Sequence, residues 1–315
     1  MRKAIVFLSA VLPLAAWNHV GHKAVAGLAY DHLSKTARSR VDELIRRHPD
    51  YKLLSEGGPT DAKDLARYAF MKAAFWPDII KGDARFYDEA RGDGKPTATL
   101  TGFPDMKQRR NWHYINVPFS VDGTPTLPPP TPNVLTQLKV ILETLARPAA
   151  APGSVPAEQD AVYLLPWFLH LAGDVHNPMH CVTRFRKGQN DPATGKPWGD
   201  LGGNTVYVSG AYNLHALWDD ALGMVDSPTY IDGVVKLLKK LGKEDKPVLD
   251  PERWVQEGFA LAQSVAYSFG NEGGFRKDDP IALDSGYISR AKEVARKRAS
   301  LAGFRIAALL NNLTK

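Results

Sequence analysis

The segment from Glu158 to Val175 reads as one strongly apolar helix with Pro166 inside it, so a kink is expected there. It nevertheless carries His170 and Asp174. Residues four apart project from the same helix face, so this imidazole and this carboxylate point the same way. Pro178 would end the helix, and His180 then falls in the turn beyond it, in the run His170-Leu-Ala-Gly-Asp174-Val-His-Asn-Pro-Met-His180. A second pair of the same spacing occurs in Asn213-Leu-His215-Ala-Leu-Trp-Asp219. Either pair alone reads as capping or salt-bridged residues. Two pairs with His180 beside them read as a metal site, since imidazole and carboxylate are ordinary zinc ligands.

The lone cysteine, Cys181, narrows the donor set. One thiol forms no internal disulfide and no cysteine-type zinc site. Any metal must be held by His, Asp, Glu or backbone groups, and Cys181 reads as a packed thiol. His-Glu-x-x-His and Glu-x-x-His are both absent from the sequence, which argues against the common zinc-protease helix and a di-iron bundle.

The 315 residues, 44% hydrophobic and 23% charged, suffice for one large core. Apolar spacing predicts an all-α, single compact domain from Trp17 to the end, with long loops. Helices are expected over Val20 to Arg47, Asp64 to Ala74, from Asn133 as N-cap through Leu145, over Glu158 to Val175, Leu214 to Leu222, Glu252 to Phe269 and Gly286 to Asn312. A short strand is read at Thr205 to Val208, with a hairpin near 200–212. His19, His32 and His48 read as surface residues, and His176 as a residue supporting the metal cluster.

The start of the chain is different in kind. Arg2 and Lys3 precede an uncharged, mostly apolar run from Ala4 to Ala16. That is shorter than the roughly 20 residues a spanning helix needs, and it has the layout of a secretory signal peptide over residues 1–16. An exported protein, periplasmic or extracellular, is expected, with no membrane span. Loss of Arg2 and Lys3 would lower the formal charge from +6 to +4, a mild excess compatible with a polyanionic substrate.

Further segments bring a family into view. In order along the chain stand Trp17-Asn-His-Val-Gly-His22, Phe75-Trp-Pro-Asp78, Asn111-Trp-His113-Tyr-Ile-Asn116, the two His-x-x-x-Asp segments, and Ala302-Gly-Phe-Arg-Ile-Ala-Ala-Leu-Leu-Asn311. Any one is unspecific; their joint order is highly specific. The chain resembles the zinc-dependent single-strand nucleases and 3′-nucleotidases of the S-one/P-one type, which share the phospholipase C fold.

The resemblance implies three zinc ions. Asp78, His113, His170 and Asp174 would hold one, and His180, His215 and Asp219 a second. The third would take His22, Asp174 as a bridge, and the amino nitrogen and carbonyl oxygen of Trp17. It implies hydrolysis of phosphodiester bonds in single-stranded DNA or RNA, and of 3′-nucleotides, to give 5′-nucleotides. It places Lys81 where the family has a phosphate-neutralising Arg, and Lys keeps the charge but loses the fork. Tyr114 matches an aromatic that stacks on a base, and Asn204 lies in a base-contacting loop, Gly202-Gly-Asn204. Two other readings stay open: a zinc phospholipase C, which carries Glu where this chain has Asp219, and a non-catalytic zinc-binding exported protein. No protein partner is implied.

Overall fold

The computed structural model describes residues 17–90, 98–147, 155–191, 194–242, 244–269 and 273–313. The signal segment 1–16 lies outside the described residues. The architecture is helical: α1 (His19–Asp31), α2 (Lys35–Arg47), α3 (Tyr51–Ser55), α4 (Ala62–Ala73), α5 (Trp76–Ile79), α6 (Val134–Leu145), α7 (Val155–Asp174), α8 (Leu214–Asp219), α9 (Pro228–Lys240), α10 (Pro251–Leu261) and α11 (Ser285–Leu313). The all-α reading therefore holds.

Local chemistry sets most helix starts. The Asn18 side chain accepts from Val20 N and Gly21 N at the head of α1. Asn133 and Thr136 close a reciprocal capping box on α6, and Asn213 caps α8 through Ala216 N at 2.7 Å. Such caps answer N–H groups that a helix start leaves without partners. The expected single helical stretch from Val20 to Arg47 is two helices. Ser34 restarts the chain by capping α2 through Ala37 N, and Asn311 of α11 pins the break by bonding both His32 O and Ser34 N.

The core is built around α1, which packs on α11, α9 and α4, with α6 against α7 and α7 against α2 and α11. Gly303 lets α11 come close to α1: a Cβ there would stand 2.7 Å from Leu28. The apolar α7 supplies fully buried Trp167, Phe168 and Leu171, each worth about 1.5–3 kcal/mol on burial. This helix is thus surrounded by protein, and its last turn, with His170 and Asp174, ends in the interior.

The hairpin expected near 200–212 does not form. Tyr207 instead exchanges backbone bonds with Gly274 and Ile281, and Ser209 N bonds Ile281 O. Val206 and Val208 turn inward on a second small core with Trp218 and Tyr287, so their partner is the chain that precedes α11. The sheet present among the described residues is a parallel pair, β1 (Pro118–Ser120) and β2 (Thr183–Phe185). β2 follows His180 directly and so ties that turn to the segment after His113.

Two histidines differ from their sequence reading. His48 is buried, because its Nδ1 accepts from Asp50 N and its ring lies edge-on to Trp76 at 4.8 Å. His176 is buried on the side away from the other histidines. Its Nε2 meets Arg305 at 3.1 Å and its carbonyl accepts from Arg298. Both arginines are paired with Glu257. His176 thus anchors the chain between Asp174 and His180 to a buried ion network rather than touching the cluster.

Candidate metal centre

Four elements bring the histidines and carboxylates together. α1 supplies His22, α5 supplies Asp78, the short turn Arg110–His113 supplies His113, and α7 supplies His170 and Asp174. All are buried or nearly so. Asp174 stands between two groups. Its Oδ1 lies 3.2 Å from His22 Nε2, and its Oδ2 lies 3.2 Å from both His170 Nε2 and His113 Nδ1. Asp78 Oδ1 is 3.7 Å from His170 Nε2 and 3.8 Å from His113 Nδ1. The His22 and His170 rings are stacked at 3.9 Å.

A second group is built by the turn after α7 and by α8. His180 Nε2 lies 3.7 Å from Asp219 Oδ1, and His215 Nε2 lies 3.4 Å from Asp219 Oδ2. Three sets of ligand atoms each converge within 4.8 Å: His22, His170 and Asp174; Asp78, His113 and His170; and His180, His215 and Asp219.

The surroundings fix the proton positions. His170 Nδ1 bonds Ala74 O at 2.8 Å, His180 Nδ1 bonds His113 O at 2.7 Å, and His215 Nδ1 bonds Gly202 O at 2.8 Å. A carbonyl oxygen only accepts, so each Nδ1 carries the proton and each Nε2 turns a lone pair inward. That is how metal-binding imidazoles are oriented. His22 Nε2, His180 Nε2, His215 Nε2, Asp78 Oδ2 and both Asp174 oxygens are buried without a hydrogen-bond partner in the protein. Leaving such atoms unanswered costs about 1–3 kcal/mol each. Divalent cations among them answer the whole set, so the residues present fit metal ions.

The electrostatics agree. Burial pushes the Asp174 carboxyl up to about 7 and Asp219 well above the ordinary carboxylate range. Asp78 is held below that range, because the Lys81 ammonium and His170 outweigh its burial. Burial and its neighbours lower all five imidazoles, His170 and His215 to about 4. The rings therefore stay neutral and ligand-ready in weak acid, while below about pH 7 the Asp174 carboxyl takes up a proton that a metal must displace. Affinity for a divalent cation should fall by about tenfold per pH unit for that one proton as pH drops below about 7. Competition with a chelator at pH 8, 7, 6 and 5.5 measures this. A flat affinity across that range would show that the carboxylates are ionised before metal arrives.

Trp17 is fully buried, and its indole N–H bonds Gly173 O at 3.0 Å, next to Asp174. Lys81 points into the cluster, with Nζ 2.6 Å from Asp78 Oδ1 and 3.3 Å from His113 Nδ1. Tyr114 is half-buried beside His113. Asn204 uses its amide locally, on Leu201 O at 2.7 Å. Its loop reaches the centre through the backbone: Gly202, at φ +64, turns its carbonyl onto His215, and a Cβ there would stand 2.2 Å from Met179 O. The Cys181 thiol donates to Val175 O, burial pushes it up to about 12, and it belongs to none of the three converging groups.

A family model described as S1/P1 Nuclease matches residues 17–315. The chain belongs to the S1/P1 nuclease family. Comparison with curated proteins returns no match. The helical fold is the one expected of an S1/P1 nuclease, and the three buried His/Asp groups are compatible with a metal-dependent nuclease centre. Two supporting residues had no sequence reading. Asn177 donates to Asp219 Oδ1 at 2.8 Å, and the Asn18 backbone N–H bonds Asp219 O at 3.3 Å.

Proposed function

We propose that this S1/P1 nuclease is an exported zinc phosphodiesterase. It hydrolyses single-stranded DNA or RNA and 3′-nucleotides at a trinuclear site and releases 5′-nucleotides. The observation that carries the reading is Asp174, a fully buried carboxylate with one oxygen toward each of two histidine groups. Asp78, His113, His170 and Asp174 would hold one zinc, His180, His215 and Asp219 another. His22, Asp174 and the freed amine and carbonyl of Trp17 would hold the third. When bound, zinc supplies a Lewis acid for the phosphate and a water whose pKa can fall to about 7.

The protein does the rest. The carbonyls of Ala74, His113 and Gly202 hold three imidazoles in one tautomer and one direction. Lys81 orients Asp78 and brings a positive charge to the place where the phosphate would sit. Tyr114 follows His113 and offers a ring to the base. Asn204, on the loop that holds His215, contributes the base edge contact. A base that must stack on Tyr114 has to leave a duplex, at a cost of a few kcal/mol that a single strand is largely spared. Signal removal between Ala16 and Trp17 would expose the amine and export the chain together. No helix among the described residues is long and apolar enough to cross a membrane.

Tyr114 gives the test. Stacking is worth about 1–3 kcal/mol per base, so Tyr114→Ala should slow 3′-nucleotide and dinucleotide hydrolysis roughly ten- to hundredfold. Zinc content should be unchanged, since the ligand is the neighbouring His113. A phosphodiester without a base should lose much less. Equal loss on both substrates would reduce Tyr114 to packing, and a wild-type protein inert on every nucleotide would overturn the proposed activity.

A further inference from the structure

A cleft of about 630 Å³ opens between α1, α4, the turn at Gly57 to Pro59 and the start of α9. It adjoins the metal centre. Lys23 directly follows His22, and the half-buried Phe75 ring lies 6.4 Å from the His22 ring and 5.9 Å from the Lys23 ammonium. The second lysine of the cleft, Lys72, stands 5.8 Å over the ring of Tyr68.

The cations of the cleft are not equally satisfied. Arg67 is held by Asp31 and Asp232, and Lys23 by Asp226 at 2.6 Å. Lys72 bonds the backbone carbonyl of Glu56 at 3.0 Å, and no carboxylate pairs with it among the described residues. An ammonium has three donors. The Glu56 carbonyl is also shared with Tyr68 OH. Burial and the nearby Lys23 outweigh the attraction of the Glu56 and Asp226 carboxylates and hold the Lys72 pKa below its ordinary value. An anion between the two lysines would relieve both conditions. The remaining carboxylate lining the cleft, Asp64, sits in the first turn of α4.

We propose that this cleft binds a backbone phosphate of the single strand being cut, with Lys72 and Lys23 as its ligands, flanking the linkage at the metal centre. The inference rests on the phosphodiesterase reading above and adds a polymer-specific site to it. A 3′-mononucleotide has only the phosphate that lies on the metals, so it does not use the cleft. A longer strand does.

The experiment compares wild type, Lys72→Met and Asp226→Asn on a 3′-mononucleotide and on a 20-nucleotide single strand across a salt series. Lys72→Met should leave the mononucleotide rate within about twofold and lower kcat/KM on the strand about five- to tenfold at low salt. It should also reduce the slope of log kcat/KM against log salt by about 0.7, the value of one single-strand phosphate contact. Asp226→Asn releases Lys23 and should act in the opposite sense on the strand alone. Lys72→Arg should restore most of the loss. Binding of a phosphorothioate 20-mer, whose linkages resist hydrolysis, should weaken in Lys72→Met in parallel. Equal effects on both substrates, or an unchanged salt slope and unchanged binding, would overturn the cleft. A wild type that binds the 20-mer through Lys72 but cuts nothing would keep the cleft and overturn the activity.

Discussion

Replacing Asp174 by Asn should empty two metal positions at once and lower phosphodiester hydrolysis by at least roughly a hundredfold. The carboxylate faces His22 with one oxygen and His113 and His170 with the other, all at 3.2 Å. Asn keeps the size but offers one carbonyl oxygen and an N–H₂ group that repels a cation. One side of the bridge is therefore lost outright, and the other side loses its charge. His215→Ala is the contrast: it lies in the group with His180 and Asp219, so it should release one ion and leave the other two. Metal analysis of the two purified variants decides the matter. Loss of a single ion from Asp174→Asn, with activity kept, would show that Asp174 serves one position only. Metal-free thermal stability is the companion measurement. Asn has the size of Asp and carries no charge, and burial already raises the Asp174 carboxyl to about 7, so Asn should cost the metal-free form little, which separates loss of metal from loss of fold.

Most of the centre was legible because its donors are side chains at helical spacing. His170 with Asp174 and His215 with Asp219 declare a shared face whatever surrounds them. What aims them was not legible. The groups that fix the rings are the carbonyls of Ala74, His113 and Gly202, and a backbone oxygen carries no residue signature. Asn177 has no sequence reading, yet its amide holds Asp219. His176 reads as lying on another face from His170, and what the sequence does not show is its partner there. Two positions beyond Asp174 in sequence is the opposite side of the chain, where Arg305 waits.

The fold divides in the same way. Long amphipathic segments such as α6 and α10 are legible, whereas α1 and α2 read as one stretch because the break at His32 to Ser34 is fixed by Asn311, far away in sequence. α9 went unread, although Ser227 caps it and Pro228 opens it before the periodic Ile231, Val234, Val235 and Leu238. The parallel pairing of β1 with β2 joins two three-residue strands far apart in the chain, too short for any alternation to show.

The amino terminus carries the second large expectation. A protein beginning at Trp17 should bind one more zinc than the same protein with two residues added before it, and should hydrolyse nucleotides roughly a hundredfold faster. Contacts on both sides hold Trp17 in place. Its indole is fixed to Gly173, the residue before Asp174. The next backbone N–H bonds the carbonyl of Asp219. The Trp17 backbone is thus held between the two histidine groups, and the ring is fully buried, so it has little freedom to move. The chemistry of the nitrogen then decides. In a peptide bond its lone pair is delocalised into the carbonyl, which makes it a poor ligand. A free amine, with a pKa of about 7.7–8.0, gives up its proton to a metal near neutral pH. Added residues would replace the amine by an amide without touching any His or Asp. The metal-free forms of the two proteins should therefore melt alike and differ only after zinc is supplied. Equal zinc content and equal rates would remove Trp17 from the ligand set and leave export and assembly of the site as separate events.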